Sequence, residues 1–303
     1  MESTSTPVTS RARSTARAWP YAVVGTAAAA STVGFALSLR SPVLAGAEQL
    51  TLEDAVDAVA LIAFGLLGAT LMRRSRAAAL GLALVVAAGL QGVNYLLGGA
   101  ADALSDGRTP VPAAARLGWL VADSAFVAMF ILLLYAPLAL FPTGRLPSAR
   151  WRWLPVVATT CAVSGVLSVL LGPGRVDDDN PAKGTNPLGV PALDGVAAVL
   201  ERAGLVLLVL TFVGGVAAYV VRWLRFRGAR RRQLAWLATG VVAMAVFMVV
   251  DAGSSLVAQV VSASVLFGTL LVGLGWPLLG PLGAEAERTD HATSTNSPGV
   301  VDV

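Results

Sequence analysis

The sequence predicts an all-α fold, a polytopic integral membrane bundle of about eight transmembrane helices. Of the 303 residues, 56% are hydrophobic and only 13% are charged, whereas a water-soluble domain carries about 25% charged residues. The mean hydropathy is +0.73. The apolar residues also fall into eight stretches, each close to the roughly 20 residues that a helix needs to cross a bilayer.

The eight stretches define the elements in chain order, because a helix is the open-ended element that satisfies its own backbone groups in lipid. They cover residues 21–39, 55–72, 77–98, 117–141, 154–171, 196–221, 234–250 and 256–279. Ala45-Gly46-Ala47 has the form of a signal-peptide cleavage site, but the first stretch is long and Arg40 follows it, so we expect an uncleaved anchor. We expect a polar cytoplasmic tail over 1–18, the transmembrane domain over 19–280 and a disordered cytoplasmic tail over 281–303.

The flanks of the predicted spans differ in charge. Sixteen arginines lie on one set of alternating flanks, and five basic residues lie on the other. Basic residues are retained on the cytoplasmic side of a membrane, so we expect a multi-pass plasma-membrane protein with both termini in the cytoplasm. The arginine-rich flanks would contact membrane lipid headgroups. The five basic residues on the opposite flanks are Arg40, Arg108, Arg116, Arg175 and Lys183.

Several kinds of chemistry are excluded by residue counts. Cys161 is the one cysteine and His291, in the polar tail, is the one histidine, which excludes an internal disulfide, a cysteine-based metal cluster and a histidine within the spans. Asp177-Asp178-Asp179 is similar to a magnesium-binding diphosphate motif but lacks the second carboxylate group, so we interpret it as a solvated loop. We expect no cofactor, no metal and no nucleic-acid partner.

Small residues recur four positions apart within the spans. The pairs are Ala30 with Gly34, Ala88 with Gly92, and Gly214 with Ala218. Residues four apart share one helix face, and small side chains there allow two helix backbones to approach closely in lipid. The sequence therefore predicts tight helix–helix contacts at these positions.

Ionisable side chains inside the spans are candidates for a ligand site, since a charge in hydrocarbon costs about 2.5–3.5 kcal/mol. All of them lie toward the side opposite the arginine-rich flanks, which predicts an outward-facing polar cavity among the second, fourth, sixth and seventh helices. Glu201 and Arg202 point about 100° apart, so we expect Arg202 to pair with Asp123. The alternative is a purely structural ion pair with snorkelling to the interface. The candidate ligand-binding residues are Asp57, Asp123, Glu201, Arg202, Asp251 and Asn94.

Three short stretches resemble the membrane sensor regions of actinobacterial histidine kinases. The first is FPTGRLP at 141–147 followed by RWRW at 150–153, the second is NPLG at 186–189, and the third is RRQLAWLA at 231–238. The resemblance covers roughly residues 110–275. It implies a sensor-like membrane module that lacks the kinase output domain, because the chain ends about 23 residues after the last span.

Three functional hypotheses follow. The leading one is a sensor-like module that binds an apolar or amphipathic molecule in its outer half and acts through a signalling protein partner. The enzyme alternative is a cyclase or isomerase in which Asp123 or Glu201, with its pKa raised by an apolar pocket, protonates a lipophilic isoprenoid substrate. The third is a small permease or a transporter accessory subunit.

Overall fold

The computed structural model of the chain describes residues 9–41, 52–74, 77–108, 110–176, 180–251, 256–280 and 288. Eight α-helices and three short 3-10 helices lie within these ranges, together with one isolated bridge between Arg175 and Thr185. The α-helices are α1 (Thr9–Arg40), α2 (Leu52–Arg74), α3 (Ala78–Ser105), α4 (Ala113–Leu140), α5 (Trp153–Leu171), α6 (Asp194–Arg225), α7 (Gly228–Asp251) and α8 (Leu256–Leu279). The all-helical prediction is confirmed for this part of the chain.

Six of the described helices are long and apolar enough to cross a membrane, which makes the chain a multi-pass membrane protein. They contain the spans Ala18–Arg40, Asp54–Arg73, Ala78–Ser105, Ala113–Leu140, Ala149–Leu171 and Pro191–Arg225. The last two of the eight predicted spans coincide with α7 and α8, which are not among these six. Six spans are therefore shown where about eight were predicted.

Several helices extend beyond the predicted apolar stretches. The helix α1 begins at Thr9, inside the predicted N-terminal tail, and α3 continues seven residues past position 98 to Ser105. Polar residues in the last turns of α3 therefore belong to the helix rather than to a loop. This extension places Asp102 between neighbouring helices, with consequences for the candidate site.

The helix α3 is central to the packing, since it lies against α1, α2 and α4. The helix α4 also contacts α5 and α6, while α8 lies against α7 and α2. We call the end of the bundle that carries loop 172–193 the long-loop end. The opposite end, where α4, α6 and α8 finish, carries Arg145, Arg150, Arg152, Arg225, Arg227, Arg230, Arg231 and Arg232, and we call it the arginine-rich end.

Glycines bring α1 and α3 into backbone contact, as the small-residue spacing predicts. A β-carbon at Gly92 would lie 2.7 Å from the α-carbon of Ala27, and one at Gly99 would overlap the carbonyl group of Gly34. Gly214 of α6 instead makes room for side chains of α5, since its β-carbon would lie 2.7 Å from a methyl carbon of Leu154. Close backbone approach is a source of helix affinity in lipid, where burial of apolar surface supplies little.

We expect Gly99→Ala to loosen α1 from α3, because the added methyl group overlaps a backbone carbonyl that cannot move aside. The stability loss should be about 1–3 kcal/mol, the usual cost of overpacking, measured as a lower apparent Tm by fluorescence-detected size-exclusion chromatography. Gly98→Ala is the matched control, since a β-carbon at Gly98 would lie 3.9 Å from that of Ala122. Equal apparent Tm values for the two variants would contradict the predicted contact.

Candidate functional site

The described members of the predicted ligand-binding set occupy two different environments. Asp57 in α2 and Asn94 in α3 are half-buried, whereas Asp123 in α4 and both Glu201 and Arg202 in α6 are exposed. Asp251 is the last residue of α7, and its side chain lies outside the described residues. A ligand site formed by this set stays a prediction.

Among the described residues, the structure shows no salt bridge between Arg202 and Asp123, both of which are exposed. A salt bridge of 3.1 Å does join Arg108 and Asp106 on the surface of the long-loop end. The reason lies in the face that α6 presents to its neighbours. Gly204 is buried on that face, and Arg202 lies two residues earlier, about 200° around the helix. Arg202 consequently points away from the helices that pack on α6.

Asp57 lies in a small group of residues where α1, α2 and α3 meet. The hydroxyl group of Tyr95 donates a hydrogen bond of 2.7 Å to the carbonyl oxygen of Asp54. The Asp54 and Asp57 carboxylates both lie close enough to Tyr95 to interact with it electrostatically. Phe35 of α1 meets the Tyr95 ring edge-on, with centroids 6.5 Å apart. This group fixes the start of α2 against α3.

A second polar group at the long-loop end was missed by the sequence analysis and centres on Asp102. Its carboxylate accepts hydrogen bonds from the Ser38 hydroxyl of α1 and from the indole nitrogen of Trp119 in α4, the latter at 2.9 Å. Asp102 therefore links α1, α3 and α4 through one side chain. We call Ser38, Asp102 and Trp119 the Asp102 cluster.

Loop 172–193 is attached to the Asp102 cluster. The Lys183 ammonium group lies 5.4 Å from the centroid of the Trp119 ring, a cation–π contact. Arg116 donates hydrogen bonds of 2.8 and 3.3 Å to the carbonyl and hydroxyl oxygens of Thr185. Two basic residues predicted on this side of the membrane thus hold the long loop on α4.

The NPLG stretch caps the end of α5. The Asn186 amide nitrogen donates to the carbonyl oxygens of Val169, Leu170 and Gly172 at 3.0, 3.1 and 2.7 Å. Its side-chain oxygen accepts a 2.8 Å bond from the Leu188 amide. Residue 173 is a proline with no N–H to offer the Val169 carbonyl, so Asn186 supplies the missing donor.

An apolar groove of about 300 Å³ runs along the seam between α3 and α4 at the long-loop end. Leu104 and Leu117 on its walls are 53% and 40% exposed, so the groove is open to its surroundings. The connection between α3 and α4 carries the Arg108–Asp106 pair. The residues that line the groove are Leu97, Ala100, Ala101, Leu104, Ala114, Leu117, Gly118 and Val121. This arrangement can hold an apolar chain.

The FPTGRLP stretch at the arginine-rich end is held by Arg222 of α6, which is 2% exposed. Its guanidinium group donates to the carbonyl oxygens of Leu138 and Arg145, at 3.2 and 2.6 Å, and to that of Ala139. Residue 142 is a proline, so the Leu138 carbonyl has no N–H donor four residues later. Arg222 is one of the sixteen arginines that the sequence predicts on the cytoplasmic flanks. The sequence does not predict its burial, because nothing in it indicates which of these arginines packs between helices.

Among the residues the structure describes, no group of three or more His, Cys, Asp or Glu side chains is placed to hold a metal ion. One sequence signal indicates the Asp102 cluster. If α3 continues past position 98, an aspartate four residues later lies on the same helix face as residue 98.

No family model, curated protein or solved structure matches the chain.

Proposed function

We propose that this chain is an eight-span plasma-membrane protein with cytoplasmic termini that senses an amphipathic molecule at its long-loop end and signals through a separate protein. The apolar groove on the α3–α4 seam is the observation that carries this proposal. Ligand sites are concave and mostly apolar, with a few polar groups that fix orientation. The groove supplies the apolar walls, and Arg108, in the connection that follows α3, is 68% exposed and able to meet an anionic headgroup.

The structure offers a route from the groove to the other end of the bundle. The 28 residues of α4 form a continuous helix of roughly 42 Å, with groove-lining residues near its start and the carbonyl groups held by Arg222 at its end. A ligand that spreads the seam would pull on the bond between Asp102 and Trp119. A ligand shifts an equilibrium between two conformational states only if it binds one of them more tightly than the other. We expect the two states of this protein to differ in the hydrogen bond between Asp102 and Trp119.

Support for the chosen orientation comes from the charges of the described helices. The arginine-rich end has basic residues in the 145–152 connection and in the 225–232 connection. Asp102, Asp106, Asp123, Asp194 and Glu201 all lie in the half of the bundle toward the long-loop end. This asymmetry favours a cytoplasmic location for the arginine-rich end, where it would meet anionic lipid or the signalling partner.

The enzyme alternative receives less support. A carboxylic acid that protonates an alkene or epoxide needs an apolar enclosure to keep its proton at neutral pH. Asp123 and Glu201 are both exposed on the sides of their helices, and neither lines the α3–α4 groove. For the permease alternative, the described side chains offer no comparable feature, and we favour the sensor-like function.

We expect Leu117→Trp to weaken binding of a dansyl-labelled long-chain fatty acid by about tenfold, since an indole ring at position 117 fills the groove. The measurement is the rise in dansyl emission on titration into purified protein in a neutral detergent. Leu205→Trp is the matched control, because Leu205 lies on the outer face of α6 and is 59% exposed. Equal affinities for the wild type and Leu117→Trp would refute the groove as the ligand site.

A further inference from the structure

The hairpin between α6 and α7 carries arginines that are ordered on aromatic rings. The Arg231 guanidinium group lies 5.1 Å from the Trp223 ring centroid, and the Arg230 guanidinium group lies 5.4 Å from that of Phe226. Tyr219 stacks on Trp223 with centroids 6.4 Å apart, and its hydroxyl group donates a 2.8 Å hydrogen bond to the Leu234 carbonyl oxygen. The aromatic rings therefore hold the guanidinium groups on the hairpin itself.

A guanidinium group held over a ring by a cation–π contact can still donate hydrogen bonds from its N–H groups. Its five donors form a planar fork that matches two oxygens of a phosphate, and the ring removes much of the entropy cost of ordering the side chain. Arg231 is exposed, so these N–H groups can be reached from outside. We call Tyr219, Trp223, Phe226, Arg230 and Arg231 the hairpin cluster.

The hairpin is rich in basic residues. Residues 225–232 include five arginines, and among the described residues the aspartate and glutamate side chains lie toward the long-loop end of the helices. The nearby Arg222 charge is met by backbone carbonyl groups. An anion from outside the chain is a natural counter-charge for the exposed Arg231.

Apolar surface lies directly beside these charges. Leu224 is 76% exposed and Val220, one turn earlier, is 44% exposed, while α6 passes from apolar residues to arginine at Arg222. That boundary is where lipid acyl chains give way to phosphate headgroups. An acidic soluble protein would pair with the arginines but would leave the exposed leucine and valine without an apolar contact. A phospholipid supplies both contacts, because its acyl chain packs against the leucine and valine and its phosphate binds the arginines.

We propose that the hairpin cluster is a binding site for a net-anionic glycerophospholipid, with its phosphate on Arg231 and an acyl chain along Val220 and Leu224. This inference depends on the proposed orientation of the chain but not on a ligand in the α3–α4 groove. It goes beyond general attraction of arginines to an acidic leaflet, because it requires the guanidinium fork and the ring beneath it.

The test compares two substitutions that both keep the net charge. Arg231→Lys replaces the ring-stacked fork by a point charge, and we expect the fraction of protein that retains dioleoylphosphatidylglycerol in native mass spectrometry to fall about fivefold. Arg225→Lys, in the same hairpin but with no ring contact among the described residues, should stay within about twofold of wild type. Dioleoylphosphatidylcholine, which is zwitterionic, should be retained weakly by all three proteins.

Two further measurements are needed. One distinguishes a lipid phosphate from a free phosphate, and the other distinguishes failure of the hairpin site from failure of the proposed sensor function. Soluble glycerol phosphate should bind far more weakly than the lipid, and equal binding would show that a free phosphate is the ligand. Equal lipid retention by Arg231→Lys, Arg225→Lys and wild type would overturn the hairpin site and leave only general electrostatic attraction. The fatty-acid titration at the groove is unaffected by either hairpin substitution, so its failure would concern the proposed function alone.

Discussion

Substitution of Arg222 by leucine is expected to cost about 3–5 kcal/mol of stability. The guanidinium group donates to three carbonyl oxygens at the end of α4 and in the following loop, and leucine leaves these buried acceptors without a donor. Because Pro142 has no N–H, the helix cannot repair the loss at Leu138 by itself. The apparent Tm in detergent should fall by roughly 5–15 °C, measured by fluorescence-detected size-exclusion chromatography.

Arg225→Leu is the matched control, because Arg225 is exposed three residues later on the same helix and its loss should leave the apparent Tm nearly unchanged. Arg222→Lys should fall between wild type and Arg222→Leu, since an ammonium group keeps the charge but does not span the three acceptors as the fork does. If Arg222→Leu and Arg225→Leu had the same apparent Tm, Arg222 would not hold α4 to α6.

Asn186→Asp is expected to destabilise the long-loop end by about 2–4 kcal/mol. The substitution keeps the size of the side chain but places a carboxylate oxygen against three carbonyl oxygens that now accept hydrogen bonds from the amide. We expect a lower apparent Tm and faster proteolytic cleavage within loop 172–193. Asn186→Ala, which removes the donors without adding repulsion, should lie between Asn186→Asp and wild type.

The pH dependence distinguishes the two substitutions at Asn186. Lowering the pH from neutral to about 4 protonates part of an aspartate population, and the protonated carboxyl group can donate to a carbonyl oxygen. Asn186→Asp should therefore recover part of its apparent Tm at low pH, while Asn186→Ala should not. Asp106→Asn, a charge change at an exposed position of the same end, serves as the control and should have little effect. Recovery in both Asn186 variants would contradict the capping role.

One physical rule explains both expected effects. A proline near the end of a helix removes an N–H donor, and in lipid the carbonyl group that loses it must find another partner. Arg222 supplies donors after α4 and Asn186 supplies them after α5. Asn186 lies within NPLG, and Arg222 contacts the FPTGRLP stretch. A structural role is therefore sufficient to explain both stretches.

The candidate site could be predicted from the sequence only in part. The described charged residues inside the spans lie in the half of the bundle opposite the arginine-rich end, but the structure shows no salt bridge between Arg202 and Asp123. The pairing failed because the rotation of α6 is set by Gly204, Gly214 and Gly215, which turn its small-residue face toward α4 and α5. Asp102 was overlooked because α3 was expected to end at position 98, and apolar content does not report how far a helix continues past the membrane.

The sequence by itself determined the helical fold, the approximate positions of the spans and the unequal distribution of charge along the chain. It could do so because lipid imposes its demands on each helix separately, through about 20 apolar residues and a fully bonded backbone. The tertiary structure alone decided that Asp102 meets Ser38 from 64 residues away and that Arg222 meets Leu138 from 84 residues away. These contacts depend on how far each helix is rotated and shifted along its axis relative to its neighbours. The glycine contacts between helices and the prolines after helix ends determine this arrangement together, so it cannot be derived from one helix at a time.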